Sequence, residues 1–187
     1  MLPRLADRLD QIRSRRTRTL DELEAATPEE REFHPGSGAW SLTDVARHLS
    51  LVEGKTTRVL AQRRVTGIAR RPMVDALVRQ PLLWAYFGSP WRAKIPAPSV
   101  APDPAVPLAQ VRAEWEAAHA MLAAHLEGVT ERDAHAIVYR HPFGGYMDLF
   151  DTLRFVVRHH DHHREQLARI RRAPGFPATP RGAPGTA

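Results

Sequence analysis

The chain contains no cysteine. Disulfides, thiolate metal ligands and a cysteine nucleophile are therefore excluded together. Long apolar runs are missing too: no stretch approaches the roughly 18 apolar residues that a membrane-spanning helix needs. The opening Met1-Leu2-Pro3-Arg4-Leu5 has no apolar secretion-signal core, so the cytoplasm is the expected location. The period-two alternation of strands is almost absent. No glycine-rich phosphate loop occurs, and no His-Glu-x-x-His. Gly36-Ser37-Gly38 lacks the flanking residues and the strand–turn–helix setting of a nucleophile elbow.

What is present is helical and basic. A hydrophobic fraction of 43% over 187 residues supports a single core, and one domain is expected over 1–172. The residues after 172 are rich in Pro, Gly, Ala and Thr, and 173–187 reads as a disordered tail. The net charge of +6 raises the question of nucleic acid. The arginines are spread along the chain, however, and many stand beside Asp or Glu. The clusters Arg13–Arg18 and Arg63-Arg64 with Arg70-Arg71 also lack interleaved aromatics for base stacking. The aromatics gather instead at Trp84, Tyr86, Phe87 and Trp91, where they can cap a bundle, line a pocket or form a dimer contact. The partner readings are a small molecule and an optional homodimer, with nucleic acid and membranes set aside.

Helical periodicity predicts a first helix over 3–25, ended by Thr27-Pro28 and followed by a polar loop to Ala39. A second helix starts at Ser41, where Ser41-x-x-Asp44 can cap the first turn, and runs to about 65. Met73–Phe87 is apolar but interrupted by Pro81, which predicts a kink or two short pieces. Five prolines between 96 and 107 predict an extended crossover. A third long helix follows Pro107 and ends near Gly128. The last follows the Pro142-Phe143-Gly144-Gly145 turn and runs over about 147–172. The expected fold class is thus all-α, an antiparallel four-helix bundle with a long proline-rich crossover.

The last helix carries four histidines in Phe155-Val156-Val157-Arg158-His159-His160-Asp161-His162-His163-Arg164-Glu165-Gln166. With His159 at zero on the helical wheel, His163 lies at about 40°, Gln166 at about −20° and Ile170 at about 20°. Phe155 and Val156 lie at about −40° and 60°. His159 and His163 therefore point into the bundle, while His162 near −60° and His160 near 100° sit on the edges, where a histidine needs no explanation. Two inward imidazoles at i and i+4 must find polar partners, and this spacing also offers two ligands to one divalent ion. The alternative is a pair of core histidines bonded to neighbouring side chains.

A usable site needs a third ligand. His48 is the candidate, at the edge of the inward stripe formed by Val45, Val52 and Val59. His34 is in a loop, His119 and His125 lie on the third helix, and His135 and His141 flank the turn before the last helix. His162 is the candidate proton shuttle, against the alternative of an ordinary exposed histidine. Gln166 is the candidate that orients a ligand or a bound water, against an ordinary buried amide. Glu165, near −120°, and Glu53, about 140° from His48, point away from the candidate site.

Two stretches now resemble a family. Trp40-Ser41-Leu42-Thr43-Asp44-Val45-Ala46-Arg47-His48-Leu49 and His159-His160-Asp161-His162-His163-Arg164-Glu165-Gln166-Leu167 look like those of the DinB/YfiT-like superfamily of metal-binding four-helix bundles. In that family a Trp-Ser pair opens the second helix and a histidine about two turns on is the first ligand. The last helix supplies two more in a His-x-x-x-His pattern, usually followed by Gln. The resemblance spans roughly 5–172 and implies His48, His159 and His163 as metal ligands. The turn His141-Pro142-Phe143-Gly144 also looks like the segment before the last helix in one branch. The resemblance further implies a metal-dependent enzyme, either a thiol S-transferase or a hydrolase, with zinc or nickel as the divalent metal ion and a low-molecular-weight thiol as cosubstrate in the first case. The alternative it leaves open is a non-catalytic metal-binding or stress-response protein.

Overall fold

In a computed structural model, residues 1–62, 71–89, 98–103 and 106–177 are described. Four long helices carry the fold: α1 (Pro3–Glu24), α3 (Leu42–Ala61), α5 (Leu108–Glu127) and α7 (Leu149–Arg171). Between them lie the short helices α2 (Pro28–Glu32), α4 (Gln80–Phe87) and α6 (Glu131–Ala134), and a two-stranded antiparallel hairpin, β1 (Tyr139–His141) with β2 (Gly145–Met147). The all-α expectation holds, since the hairpin is the single sheet among the described residues.

The helix starts follow local chemistry. Ser41 Oγ accepts from the Asp44 N–H at 3.1 Å, and the Asp44 carboxylate accepts from the Ser41 N–H at 3.0 Å. This capping box fixes where α3 begins, and so where His48 falls. The same device opens α2 at Thr27–Glu30 and α6 at Thr130–Asp133. The expected polar loop from Thr27 to Ala39 thus contains a helix. Pro81 does not split its segment into two pieces: the chain is helical without a break from Met73 to Phe87, with a π-helical turn, Asp75–Arg79, immediately before α4 and Pro81. The wider turn, in which Gln80 N–H donates to Asp75 O, accommodates the N–H that proline lacks. The end expected for the second helix near 65 lies outside the described residues, as do 96–97 and 104–105 of the proline-rich crossover; its described part is not extended throughout, since Pro98–Val100 forms a single 3-10 turn. At the C-terminal end, Phe176 packs edge-on against Phe33 with ring centroids 5.4 Å apart. Phe176 belongs to the tail expected at 173–187, of which 178–187 lie outside the described residues.

The apolar core falls into two clusters. One contains Leu5, Leu9, Ile12, Leu60, Leu122 and Leu153 among others. The second includes Leu20, Leu23, Val45, Leu49, Trp115 and Leu167. Between the two, each long helix carries buried polar side chains, among them Arg16, Glu53, His119 and His160. A polar layer thus crosses the bundle between two apolar halves.

Gly145 ties the hairpin to the rest. Its φ is +70°, and a Cβ there would run into the Asp75 carboxylate. That carboxylate is buried and accepts from the Tyr146 N–H at 2.8 Å. Gly145→Ala therefore combines left-handed backbone strain with a clash. Urea denaturation should show a loss of more than about 2 kcal/mol; an unchanged midpoint would contradict the contact.

Candidate metal centre

α3 and α7 bring His48, His159 and His163 together. His159 Nε2 lies 3.3 Å from His48 Nε2 and 3.1 Å from His163 Nε2. One ring nitrogen from each of the three lies within 4.8 Å of the other two. Zinc–nitrogen bonds of roughly 2.0–2.1 Å in a tetrahedral shell imply nitrogen separations of about 3.3 Å. The two separations from His159 stand at nearly that spacing, and the third is within 4.8 Å.

The outer ring atoms fix the tautomers. His48 Nδ1 is 2.7 Å from the Val100 carbonyl oxygen. A carbonyl only accepts, so His48 donates from Nδ1 and its Nε2 keeps a lone pair. His163 Nδ1 is 2.8 Å from Gln166 Oε1, and the same reasoning leaves its Nε2 unprotonated. Two lone pairs therefore face His159 Nε2, which can carry one proton at most when neutral and cannot satisfy both. A divalent cation satisfies all three. The donor set fits it: neutral imidazoles suit zinc, nickel, iron or copper.

Electrostatics favour the neutral, ligating forms. Burial holds His48 below the usual histidine range, against the opposing effect of the Val100 carbonyl. His159 and His163 are held well below it, by burial first and then by the repulsion of neighbouring imidazoles. Trp40 packs on both partners, 4.9 Å from the His48 ring and 6.1 Å from that of His163. The tryptophan of the Trp-Ser pair thus forms part of the wall of the site.

The cluster faces a cavity of about 1010 Å³. Half-buried His159 lines it, as do Phe87, Phe155, Tyr139, His162 and Gln166. His162, placed by the wheel at the edge of the face, is 7% exposed, with its ring 5.2 Å from Tyr86 and 5.4 Å from His163. Tyr86 and Phe87 of the expected aromatic cluster line the same cavity. Trp84 instead lies under the Arg154 guanidinium, 4.4 Å from its ring centre, and Trp91 lies outside the described residues. His141 borders the cavity from the hairpin. Its Nδ1 accepts from the backbone N–H groups of Phe143 and Gly144, at 3.2 and 2.9 Å. Burial lowers its pKa to about 4.

Two placements differ from the helical wheel. His160, assigned to an edge with no special role, is 4% exposed. The buried arc of α7 runs from His162 through His163 and Val156 to Val157, and its centre lies about 50° beyond His159, toward His163. His160 falls inside that arc, and His159 stands nearer its cavity edge. Glu53 does point away from the three histidines, but into the core, at 1% exposure. Its carboxylate accepts from Trp115 Nε1–H at 2.6 Å and lies 3.0 Å from His119 Nδ1 and 3.5 Å from His160 Nε2. Burial pushes its pKa up, but these three neighbours outweigh it and bring the value down to about 2. Glu53 is thus held as an anion committed to the polar layer, and it is no candidate for a general base. Its place among Leu42, Leu49 and Leu60 on the α3 wheel was the available signal. The Val100 carbonyl had none, because the crossover reaches His48 from 52 residues away.

The Arg13–Arg18 run forms no continuous basic face. Arg16 turns into the core, while Arg13, Arg15 and Arg18 pair with Asp10, Asp161 and Glu22. No helix among the described residues is long and apolar enough to cross a membrane.

The fold and the cluster together define a helical bundle with a three-histidine group, able to hold a metal ion, at the wall of a cavity. Residues 11–167 match the model of the DinB superfamily, and the chain belongs to that superfamily. No curated protein and no solved structure matches it to a significant degree.

Proposed function

We propose that the protein is a metal-dependent enzyme, a thiol S-transferase or a hydrolase, acting on an electrophilic small molecule in the cavity. His48, His159 and His163 would hold a divalent cation, zinc or nickel, with Gln166 fixing the orientation of His163. The carrying observation is the convergence of the three histidines, two of them with Nδ1 held by an acceptor so that Nε2 keeps its lone pair, at the wall of a cavity of about 1010 Å³. A cation there supplies Lewis acidity, which makes a nucleophile of water or of a low-molecular-weight thiol near neutral pH.

The chain's own residues account for the rest. Val100 and Gln166 hold His48 and His163 with Nε2 forward, so the site needs no ring rotation before it acts. Phe87, Phe155 and Trp40 exclude bulk water and strengthen the electrostatics of the site. His162 lines the cavity beside His163 and would carry a proton between the reacting group and solvent. Lacking cysteine, the chain would take its thiol as a cosubstrate.

The test uses protein loaded with zinc or nickel and an electrophilic aryl halide, with and without a low-molecular-weight thiol. A panel of aryl esters tests the hydrolase arm. Turnover that disappears on chelation and returns on reloading is expected in one arm. No turnover in either, with metal bound, would leave a non-catalytic metal-binding protein. His162→Ala should keep its metal and lose about a hundredfold in kcat, the usual scale for a positioned acid–base group.

A further inference from the structure

The cavity has a charge bias that the metal reading does not use. Lys55, Arg79 and Arg169 line it, and among the described lining residues there is no aspartate or glutamate. The chain has 21 acidic side chains, so their exclusion from so large a concave surface gives it one sign of field. Arg79 is paired with Asp75 at 3.2 Å. Lys55 differs: its Nζ donates to Ser99 Oγ, a neutral hydroxyl, at 2.6 Å. Seven residues after His48, it returns to the same face of α3 about 10 Å further along the axis. Lys55 itself is exposed, which puts its ammonium at the mouth.

The walls have the opposite character. Leu82 and Phe143 line the cavity while remaining 65% and 57% exposed. Phe87, Phe155 and Val52 continue the apolar surface inward. Large apolar side chains left wet around a concave site are what an apolar ligand covers.

We infer that the cavity takes an amphipathic organic anion, with its apolar body against Phe87, Phe155 and Leu82 and its carboxylate or similar group at Lys55. The inference rests on the cavity being the substrate site of the proposed function. It makes Lys55 a specificity-determining residue. A molecule spanning Lys55 and the histidine cluster would place its reactive end about 10 Å from its charge.

Calorimetric titration of zinc-loaded protein with 4-phenylbutyrate and with its neutral amide provides the test. Wild type should prefer the carboxylate by about fivefold, the scale of an ion pair at a wetted rim. Lys55→Gln should bring the ratio close to one with affinity for the amide unchanged, and Lys55→Arg should retain the preference. Equal affinities in wild type, or no binding of either compound, would overturn the inference. So would a preference that persists in Lys55→Gln and disappears only on removal of the metal, because the anion would then be at the histidine cluster. A Lys55-dependent preference in protein that takes up no metal would sustain the inference while removing the proposed function.

Discussion

His48→Ala, His159→Ala and His163→Ala should each weaken metal binding by more than about a hundredfold. Loss of an outer partner of a metal ligand already costs ten- to hundredfold, and loss of a ligand removes more. Gln166→Ala should fall in that lower range, because it frees the His163 tautomer that the 2.8 Å contact holds. His160→Ala should keep the metal. Its ring stacks on Trp115 at 5.5 Å, on the core side of α7, so its loss is one of stability, of about 2 kcal/mol. Metal competition titrations with a chromophoric chelator read the first set, and urea denaturation reads the last. Metal lost from His160→Ala but kept by His159→Ala would mean that α7 is rotated from the phase described.

Glu53→Ala carries the largest stability effect expected outside the three-histidine group. It removes the acceptor of Trp115 Nε1–H and the partner of His119 in one step. Removing one side of a buried charged network costs about 3 kcal/mol or more. The same carboxylate gives a pH signature. Its pKa is lowered from an ordinary 4.5 to about 2 in the fold. The unfolded chain therefore takes up a proton before the folded one, and the contribution of Glu53, full above 4.5, is lost as pH falls toward 2. His141 acts with the same sign at higher pH. Its folded value is about 4 against 6.5, so stability declines as pH falls from 6.5 to about 4. Metal-free protein should thus be most stable near neutrality and weaken steadily in acid, and Glu53→Ala should show a shallower slope below 4.5. A flat profile from pH 6.5 to 4 would contradict the His141 assignment, and an unaltered slope below 4.5 in Glu53→Ala would contradict that of Glu53.

Much of this was legible because local rules fixed it. The Ser41 capping box set the start of α3, and the 100° step then placed His48. The His-x-x-x-His spacing placed two imidazoles one turn apart on one face of α7. Two kinds of feature escaped. The first is phase: a wheel centred on His159 misplaced His160 by treating α7 as buried on a narrow stripe, whereas packing against α1 and α3 buries a wider arc. The second is long-range contact. Neither the Val100 carbonyl on His48 nor the choice of Trp115 and His119 as partners of Glu53 has a local signature, because each joins segments more than fifty residues apart. The helices α2 and α6 are a different case: Thr27-x-x-Glu30 and Thr130-x-x-Asp133 carry the same signal as Ser41-x-x-Asp44.

The most direct test of the metal centre is elemental analysis of protein purified without a metal-affinity tag, alongside the His48→Ala/His159→Ala/His163→Ala triple variant. About one equivalent of a divalent transition metal is expected in the wild type and none in the variant. Its chelation should lower the melting temperature, since at a hundredfold excess over the dissociation constant a folded-state ligand adds about 2.7 kcal/mol. Wild-type protein that stays metal-free after incubation with zinc and with nickel, or a triple variant that retains a full equivalent, would contradict the three-histidine centre.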